Sequence, residues 1–465
     1  MKSLFKVSFD WGFYLLLIIV IKITWSDLSL YRWIALAISL HQFLLLFNSL
    51  GAVMPIRYLL GSFMCLQMLL GPTFAYSGLD EYQTNPIYQM KVPEDVYFGY
   101  IIPAVALFIL GLHITAGKLK GEVLNLNQIT EFVDQSGKLP YTFIIVGFLS
   151  SYVQAFFSSE LGFVFYLLSG FKFIGAFMLI LGTKKLKLWV LIVVFGSIII
   201  STLRQAMFHD LLTWSLMLGA VICLKYKPGL AIKTAASFGF IMFVVVIQLV
   251  KGDYRKAAWQ GDESGTGAAS FQAIVEKRSE DNSLFSTKQL AENNLRINQG
   301  FIITHILSWV PKSEPFADGQ ELFQILEAAF LPRIVAPDKL RAGDKTIFTK
   351  YSGMHLQQNT SMGLGSPGDA YINFGVAGGC IFMFVLGLIF SEVLNGFYRF
   401  SKVYPFLLMF TPLVYYYPIR PDCELQTTLG HLVKSCMLIY FMIIFWRQDL
   451  SKISKKRLPV TTSPV

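Results

Sequence analysis

Arginines in four separate short segments are the residues of this chain best suited to chemistry. The planar guanidinium makes paired, charge-assisted hydrogen bonds, so several arginines facing one cavity are typical of a site that binds diphosphate. Four arginines lie in such segments, which read LRQAMFHDLL, NLRINQG, LPRIVAPDK and YYYPIRPD; they are Arg204, Arg296, Arg333 and Arg420. Together they predict a site for an anionic substrate that arrives from the membrane.

Arg333 is the arginine whose surroundings are most restricted by the sequence. Pro332 precedes it and Pro337 follows it, and both prolines limit the backbone conformations available to their neighbours. A backbone with few allowed conformations suits a side chain whose direction matters for binding. We therefore expect Arg333 to point towards the substrate.

The other three arginines also have ordinary structural explanations. Arg204 could reach water from the end of an apolar segment or pair with Asp210. Arg296 could belong to a solvated helix face. Arg420 could pair with the acids that follow it in PIRPDCEL. The sequence leaves these alternatives open.

Two further residues are candidates for moving a proton. His209 follows Arg204 by five residues and precedes Asp210, whereas the other histidines have no such neighbours. Asp369 lies in the glycine-rich stretch GSPGDAYINFGVAGG, which leads into an apolar run and is expected to be irregular rather than helical. Both residues are expected at the surface of the membrane.

The sequence contains no recognisable motif for binding a metal or a cofactor. The glycines near Asp369 follow no predicted strand, so they do not form a dinucleotide fingerprint, and neither a phosphate-binding loop nor zinc-type spacing occurs. Asp422 and Glu424 could bind a metal, but local pairing with Arg420 is the simpler explanation. The sequence therefore predicts neither a metal nor a cofactor.

The composition indicates a membrane protein. Of the 465 residues 54% are hydrophobic and 15% are charged, whereas soluble domains average about 45–50% apolar and about 25% charged residues. The net charge of +10 does not indicate nucleic-acid binding, because the basic residues lie in short loops and in the C-terminal tail. The five cysteines lie mostly in apolar runs and do not form a disulfide framework.

The apolar runs predict an all-α polytopic protein. Twelve of them approach the length of about 20 residues that crosses a bilayer; they lie near 9–24, 31–50, 54–72, 98–115, 141–158, 160–182, 188–203, 207–224, 234–250, 372–395, 403–418 and 426–446. The first run begins like a signal peptide, but no small-residue cleavage site follows it, so we expect it to remain as a span.

The positive charges predict the orientation. If the N-terminus is cytoplasmic, the cytoplasmic segments hold 19 basic residues and the short outer loops hold three, namely Lys91, Arg204 and Arg420. Positive residues collect on the cytoplasmic side of membrane proteins. Both termini are therefore expected in the cytoplasm.

One segment is too long to be a simple connection. Residues 251–371 are expected at the outer face, between a bundle of nine spans (1–250) and three further spans (372–446), with a basic cytoplasmic tail at 447–465. Two amphipathic helices are predicted inside it. The first begins with a capping box, Ser286 with Gln289, and ends at Pro311; the second begins at Asp318 and ends at Pro332. Both are expected to pack on the bundle.

The order of these motifs and the topology resemble the Wzy-type O-antigen and oligosaccharide repeat-unit polymerases. The resemblance covers roughly residues 140–440 and rests on LPRIVAPDK, NLRINQG, LRQAMFHDLL and GSPGDAYINFGVAGG. Members of that family commonly have Glu where this chain has Asp369.

The resemblance implies a metal-independent glycosyltransferase at the outer face of the bacterial cytoplasmic membrane. Its donor would be a growing glycan on undecaprenyl diphosphate, and its acceptor a lipid-linked repeat unit. The arginines would stabilise the leaving diphosphate, and His209 or Asp369 would accept the proton of the attacking hydroxyl. A flippase and a chain-length regulator of the same pathway would be partners. An O-antigen ligase and a lipid-linked oligosaccharide flippase or transporter are the competing interpretations.

Overall fold

The computed structural model describes residues 9–83, 85–116, 126–157, 159–183, 188–260, 267–280, 287–331, 335–336, 338–340, 343, 345–356 and 362–446. Every regular element in these residues is helical, as the sequence predicts. The α-helices are α1 Trp11–Thr24, α2 Leu30–Ser49, α3 Ile56–Cys65, α4 Gly71–Tyr76, α5 Glu94–Ile114, α6 Leu126–Gln135, α7 Leu139–Val153, α8 Ser159–Ser169, α9 Phe171–Leu181, α10 Leu188–Gln205, α11 His209–Tyr226, α12 Leu230–Gln260, α13 Ala268–Glu280, α14 Thr287–Ile297, α15 Gly300–Trp309, α16 Gln320–Phe330, α17 Lys345–Ser352, α18 Gly365–Ser401, α19 Thr411–Val414 and α20 Leu425–Phe445.

Nine stretches of the described residues are long and apolar enough to cross a membrane, so the protein is an all-helical, membrane-embedded protein. They are Leu30–Ser49, Ile56–Tyr76, Glu94–Ile114, Leu139–Phe156, Leu161–Leu181, Leu188–Gln205, Leu230–Arg255, Gly365–Ser401 and Leu425–Phe445. Each coincides with a predicted span. The three remaining predicted spans fall on α1, which has 14 residues, on the less apolar α11, and on the short stretch Pro405–Val414.

Helices α5 and α18 form the closest helix pair of the bundle. They run parallel and cross where a glycine of each helix faces the backbone of the other. A Cβ atom added at Gly111 would lie 2.2 Å from the carbonyl oxygen of Phe384, and one at Gly387 would lie 2.2 Å from that of Phe108. Small residues at such crossings let two membrane helices approach closely, which increases their van der Waals contact.

The stretch between α18 and α20 is buried although it is only partly α-helical. A 3₁₀ helix, Pro405–Phe410, leads into α19, and the rings of Phe406 and Phe410 pack on Phe132 and Phe171 with centroids 5.1 Å apart in both pairs. Irregular backbone is tolerated at membrane depth where protein surrounds it. This stretch ends in a turn that carries Arg420.

The prediction of one continuous helix between residues 286 and 311 is wrong. It is divided into α14 and α15 at Asn298 and Gln299. The Gln299 N–H donates to the Gln67 carbonyl oxygen at 3.2 Å, and a Cβ atom on Gly71 would lie 2.7 Å from the Asn298 Cα. The break thus follows from close contact with the π-helical turn Leu66–Leu70 and with α4. Ser286 of the predicted capping box lies outside the described residues.

The glycine-rich stretch before residue 372 is helical, contrary to the irregular structure that we predicted. Helix α18 begins at Gly365 and is interrupted at Gly375, where φ is 65° and ψ is −162°. Residues other than glycine rarely adopt this backbone conformation, because their Cβ atom clashes with the backbone. The interruption separates a buried first segment, which carries Asp369, from the longer membrane-spanning segment.

Candidate functional site

Four basic residues from three elements come together at one end of the bundle. We call Lys251, Arg255, Arg296 and Arg420 the cationic cluster. Lys251 interacts electrostatically with the other three residues, and Arg255 with Arg296. The Arg296 side chain reaches the backbone beside Lys251, since a Cβ atom at Gly252 would lie 3.8 Å from its Nη2. Two of the four predicted arginines are therefore brought together.

Asp422 is a counterion of the cationic cluster. Its carboxylate lies 3.2 Å from the Arg420 guanidinium, and the Gln67 side-chain amide donates to its other oxygen at 3.2 Å. Burial alone would raise the pKa of Asp422, but Arg420 and the hydrogen bonds together hold that pKa below its usual value. The carboxylate is therefore ionised and offsets part of the positive charge. The ion pair expected from the sequence for Arg420 is thus present beside the other cations.

Helix α12 supplies two of the cations because it is longer than the membrane requires. Its 31 residues extend for roughly 45 Å, whereas the hydrocarbon core is about 30 Å thick. The last turns hold Lys251 and Arg255. There the Arg255 Nε donates to the Ala206 carbonyl at 3.0 Å, and the Tyr254 hydroxyl donates to the Leu203 carbonyl at 2.8 Å. These bonds fasten α12 to the corner between α10 and α11.

Gln67 connects the parts of the site. It lies in a π-helical turn, Leu66–Leu70, between α3 and α4; π turns inside helices are frequent at functional sites. Its carbonyl accepts from the backbone beyond Arg296, and its side chain holds Asp422. The positions of α14 and of the Arg420 turn are therefore fixed by the same residue.

His209 and Asp210 form a pair at the first turn of α11. The His209 Nε2 lies 2.6 Å from an Asp210 carboxylate oxygen, and the Tyr416 hydroxyl donates to the same oxygen. Arg420 acts electrostatically on Asp210, which places the pair beside the cationic cluster. A histidine held by a carboxylate has a fixed orientation, and this suits a group that accepts a proton.

A small cavity of about 80 Å³ lies behind this pair. Its polar lining consists of Asp210, Lys172, Tyr166, Tyr416, His431, Ser169 and Ser201. Lys172 interacts electrostatically with Asp210. A cavity of this size holds water rather than a sugar. The carboxylate of Asp210 thus faces His209 on one side and a polar cavity on the other.

The remaining predicted site residues lie elsewhere. Arg204 is exposed in the last turn of α10, and in the described residues no contact joins it to the cluster. Asp369 is 4% exposed, and its carboxylate accepts from the Leu425 N–H at 3.0 Å, at the first residue of α20. The side chain therefore satisfies a helix N-terminus. Arg333, with Pro332 and Pro337, lies outside the described residues.

The sequence prediction did not include Lys251, Arg255 and Gln67. The two cations are four residues apart, as on one face of a helix. The apolar pattern, however, ends at residue 250, and this places the predicted end of the element before both cations. Gln67 is a polar residue inside an apolar run, which is itself a signal of a functional position. No group of three or more metal-ligating side chains occurs in the part of the chain that the structure describes.

Comparison with known proteins gives one match. A family model described as Domain of unknown function (DUF8712) matches residues 100–404. Neither the curated proteins nor the solved structures contain a match to this chain. The matched region includes α10 to α15 and α18, and hence Lys251, Arg255, Arg296 and the His209–Asp210 pair.

Proposed function

The chain belongs to the DUF8712 family, and we propose that it is a membrane glycosyltransferase that polymerises oligosaccharide repeat units. The donor is the growing glycan on undecaprenyl diphosphate, and the acceptor is a lipid-linked repeat unit. The observation that carries this proposal is the convergence of the cationic cluster with the His209–Asp210 pair. A diphosphate leaving group and a proton are the two species that such a transfer must stabilise.

The proposed reaction is a direct displacement. The acceptor hydroxyl oxygen forms a bond to the anomeric carbon of the donor glycan, and the bond between that carbon and the diphosphate oxygen breaks. The departing undecaprenyl diphosphate keeps the bonding electron pair, and the cationic cluster stabilises the added negative charge. Arg420 is pre-positioned by Asp422, so little reorganisation is needed when this charge develops.

His209 is the proposed base. With its Nε2–H donated to Asp210, its Nδ1 is the acceptor for the proton of the attacking hydroxyl. Asp210 orients the ring and stabilises the imidazolium that forms. Asp369 is less suited to this role, because its carboxylate is already engaged with the backbone of α20.

The proposed topology has twelve crossings. It adds α1, α11 and the stretch around Pro405–Val414 to the nine stretches that are long and apolar enough to cross a membrane. Both termini lie in the cytoplasm of a bacterium, and the segment from residue 251 to residue 371 lies at the outer face of the cytoplasmic membrane. The charge asymmetry supports this orientation. The cationic cluster then faces the compartment in which lipid-linked repeat units are joined.

Purified protein in nanodiscs, incubated with the lipid-linked repeat unit of its own cells, tests the proposal. A ladder of products that differ by one repeat supports polymerisation. One transfer onto a different acceptor indicates a ligase, and translocation without a new linkage indicates a flippase. The ladder should form in the presence of a strong chelator; loss of activity that magnesium or manganese restores would contradict the arginine mechanism.

Arg420→Lys tests the grip on the diphosphate. Lysine keeps the charge but loses the paired geometry, and a charge-assisted hydrogen bond of about 1.5–3 kcal/mol corresponds to about 10- to 150-fold in rate. Arg399, whose side chain is 54% exposed at the far end of α18, is the matched control, and Arg399→Lys should polymerise like the parent. If Arg420→Lys does so too, the cluster has no role in transfer.

A further inference from the structure

A second cavity, of about 310 Å³, opens beside the cationic cluster. We call it the aromatic cavity; its lining is Gln154, Phe157, Gly162, Phe163, Tyr166 and Tyr417. It lies where α7 ends and α8 begins, at the same end of the bundle as the turn that carries Arg420. This volume is at the lower end of the range of about 300–1,000 Å³ for small-molecule sites.

The lining combines ring faces with polar groups. Phe163 and Phe157 supply apolar surface, whereas Gln154 supplies an amide and the two tyrosines supply hydroxyls. A pyranose ring has a matching surface, because its axial C–H bonds form an apolar face and its hydroxyls form a polar rim. Aromatic rings with a polar handle suit such a ligand.

Arg420 connects the aromatic cavity to the cationic cluster. Its guanidinium lies over the Tyr417 ring, 5.8 Å from the centroid, so one face of the ring carries a cation while the residue also lines the cavity. Tyr166 lines both the aromatic cavity and the smaller cavity next to Asp210. A group bound in the aromatic cavity is therefore adjacent to a diphosphate bound by Arg420 and close to the His209–Asp210 pair.

We propose that the aromatic cavity binds the sugar ring attached directly to the diphosphate of a lipid-linked glycan. This inference rests on the proposed function, which it extends by assigning the sugar a separate site. The cavity has room for one ring and not for a whole repeat unit. Its position at helix ends and its polar groups favour a sugar over the polyprenyl chain, which remains in the hydrocarbon.

The test compares the binding of two lipids to the full-length protein in nanodiscs. The probes are undecaprenyl diphosphate and the lipid-linked repeat unit extracted from the cells that make it. Phe163→Leu, which keeps apolar volume but removes the ring, should weaken binding of the repeat-unit lipid about tenfold. It should leave binding of undecaprenyl diphosphate within about twofold. Gly162→Leu, which fills the cavity without removing a ring, should have the same effect.

Phe238→Leu is the matched control, because Phe238 is 64% exposed on α12 and lines neither cavity. Thermal unfolding of each variant checks that it is folded. Equal weakening of both lipids by Phe163→Leu and Gly162→Leu would mean that the cavity holds the polyprenyl chain, and would overturn the sugar site. Unchanged binding of both lipids would also overturn it, while a parent that still forms the product ladder would keep the proposed function. A parent that binds neither lipid overturns both.

Discussion

Arg420 and Asp422 form an ion pair of 3.2 Å inside a group of four cations. Asp422→Asn removes the carboxylate and keeps the shape, so the repulsion among the cations is then less compensated. We expect the variant to be less stable by about 1–3 kcal/mol. Breaking a fully buried pair costs more, about 3–5 kcal/mol, whereas here about a quarter of each side chain is exposed. Thermal unfolding measures this loss.

Inorganic diphosphate should raise the unfolding temperature of the Asp422→Asn protein more than that of the parent, since the anion replaces the missing charge. Glu424→Gln is the control. Glu424 accepts from the Gly343 N–H at 2.8 Å and from the Thr427 hydroxyl at 2.6 Å, so its loss should not change the response to diphosphate. Equal stabilisation of parent and Asp422→Asn would show that the cluster does not bind diphosphate.

His209→Ala should reduce chain growth by about 10²- to 10⁴-fold, the usual contribution of a general base. Binding of undecaprenyl diphosphate should be unchanged, because the cationic cluster remains. Asp210→Asn should give a smaller loss, since the ring is kept but less well oriented. His113→Ala is the control: His113 is buried in the last turn of α5, and its loss should affect only stability. Full activity of His209→Ala would move the role to Asp369 or to the substrate itself.

Orientation can be checked with single cysteines in a background in which the five native cysteines are replaced by serine. Lys288→Cys, exposed on α14, should react with a membrane-impermeant maleimide in intact cells. Gly229→Cys, exposed before α12, should react only after the cells are opened. Reversed labelling would remove the basis of the proposed function, because the cationic cluster would then face the cytoplasm.

Gly387→Ala should greatly lower the yield of folded protein. The added Cβ atom would meet the Phe108 carbonyl at 2.2 Å, and two rigid backbones must separate to make room for it. Gly396→Ala in the same helix meets no atom within 4 Å and should behave like the parent. Size-exclusion chromatography of the detergent-solubilised variants measures the difference. A well-folded Gly387→Ala protein would mean that α5 and α18 are not in backbone contact.

The thiol of Cys423 reports on the burial of the Arg420 turn. Burial raises the pKa of Cys423 to about 12, although Arg420 opposes this effect. The thiolate is the reactive form, so a raised pKa lowers reactivity at any given pH. In a protein that keeps only this cysteine, alkylation by iodoacetamide should accelerate about tenfold per pH unit without levelling off up to about pH 10. A plateau below that pH would indicate an exposed turn.

The apolar pattern was sufficient to locate nine of the helices, because membrane helices need long apolar runs whatever their neighbours are. It was not sufficient for residues whose structure depends on distant contacts. The break at Asn298 follows from the close approach of Gly71, and the continuation of α12 through Lys251 follows from contacts with the corner after Arg204. Neither contact has a local signature in the sequence.

The candidate site was predictable to the same extent. Residue type pointed to Arg296 and Arg420, and neighbouring residues pointed to His209. Direction could not be predicted: Arg204 has the same chemistry as Arg420 but is exposed and makes no described contact with the cluster, and Asp369 points into a helix end. Whether a side chain faces a partner is decided by the packing of helices that are far apart in the sequence.

Half of the cationic cluster is carried by the helix that is least enclosed by the protein. Only 6% of the most apolar part of α12 is buried. This helix contacts the bundle near both ends: the Lys233 ammonium donates to the Leu50 carbonyl at 3.1 Å, and Lys251 and Arg255 lie in the last turns. An anion that bridges these residues to Arg296 and Arg420 also joins α12 to the rest of the molecule. Ligand affinity and helix docking are then one linked equilibrium, and each must strengthen the other by the same free energy.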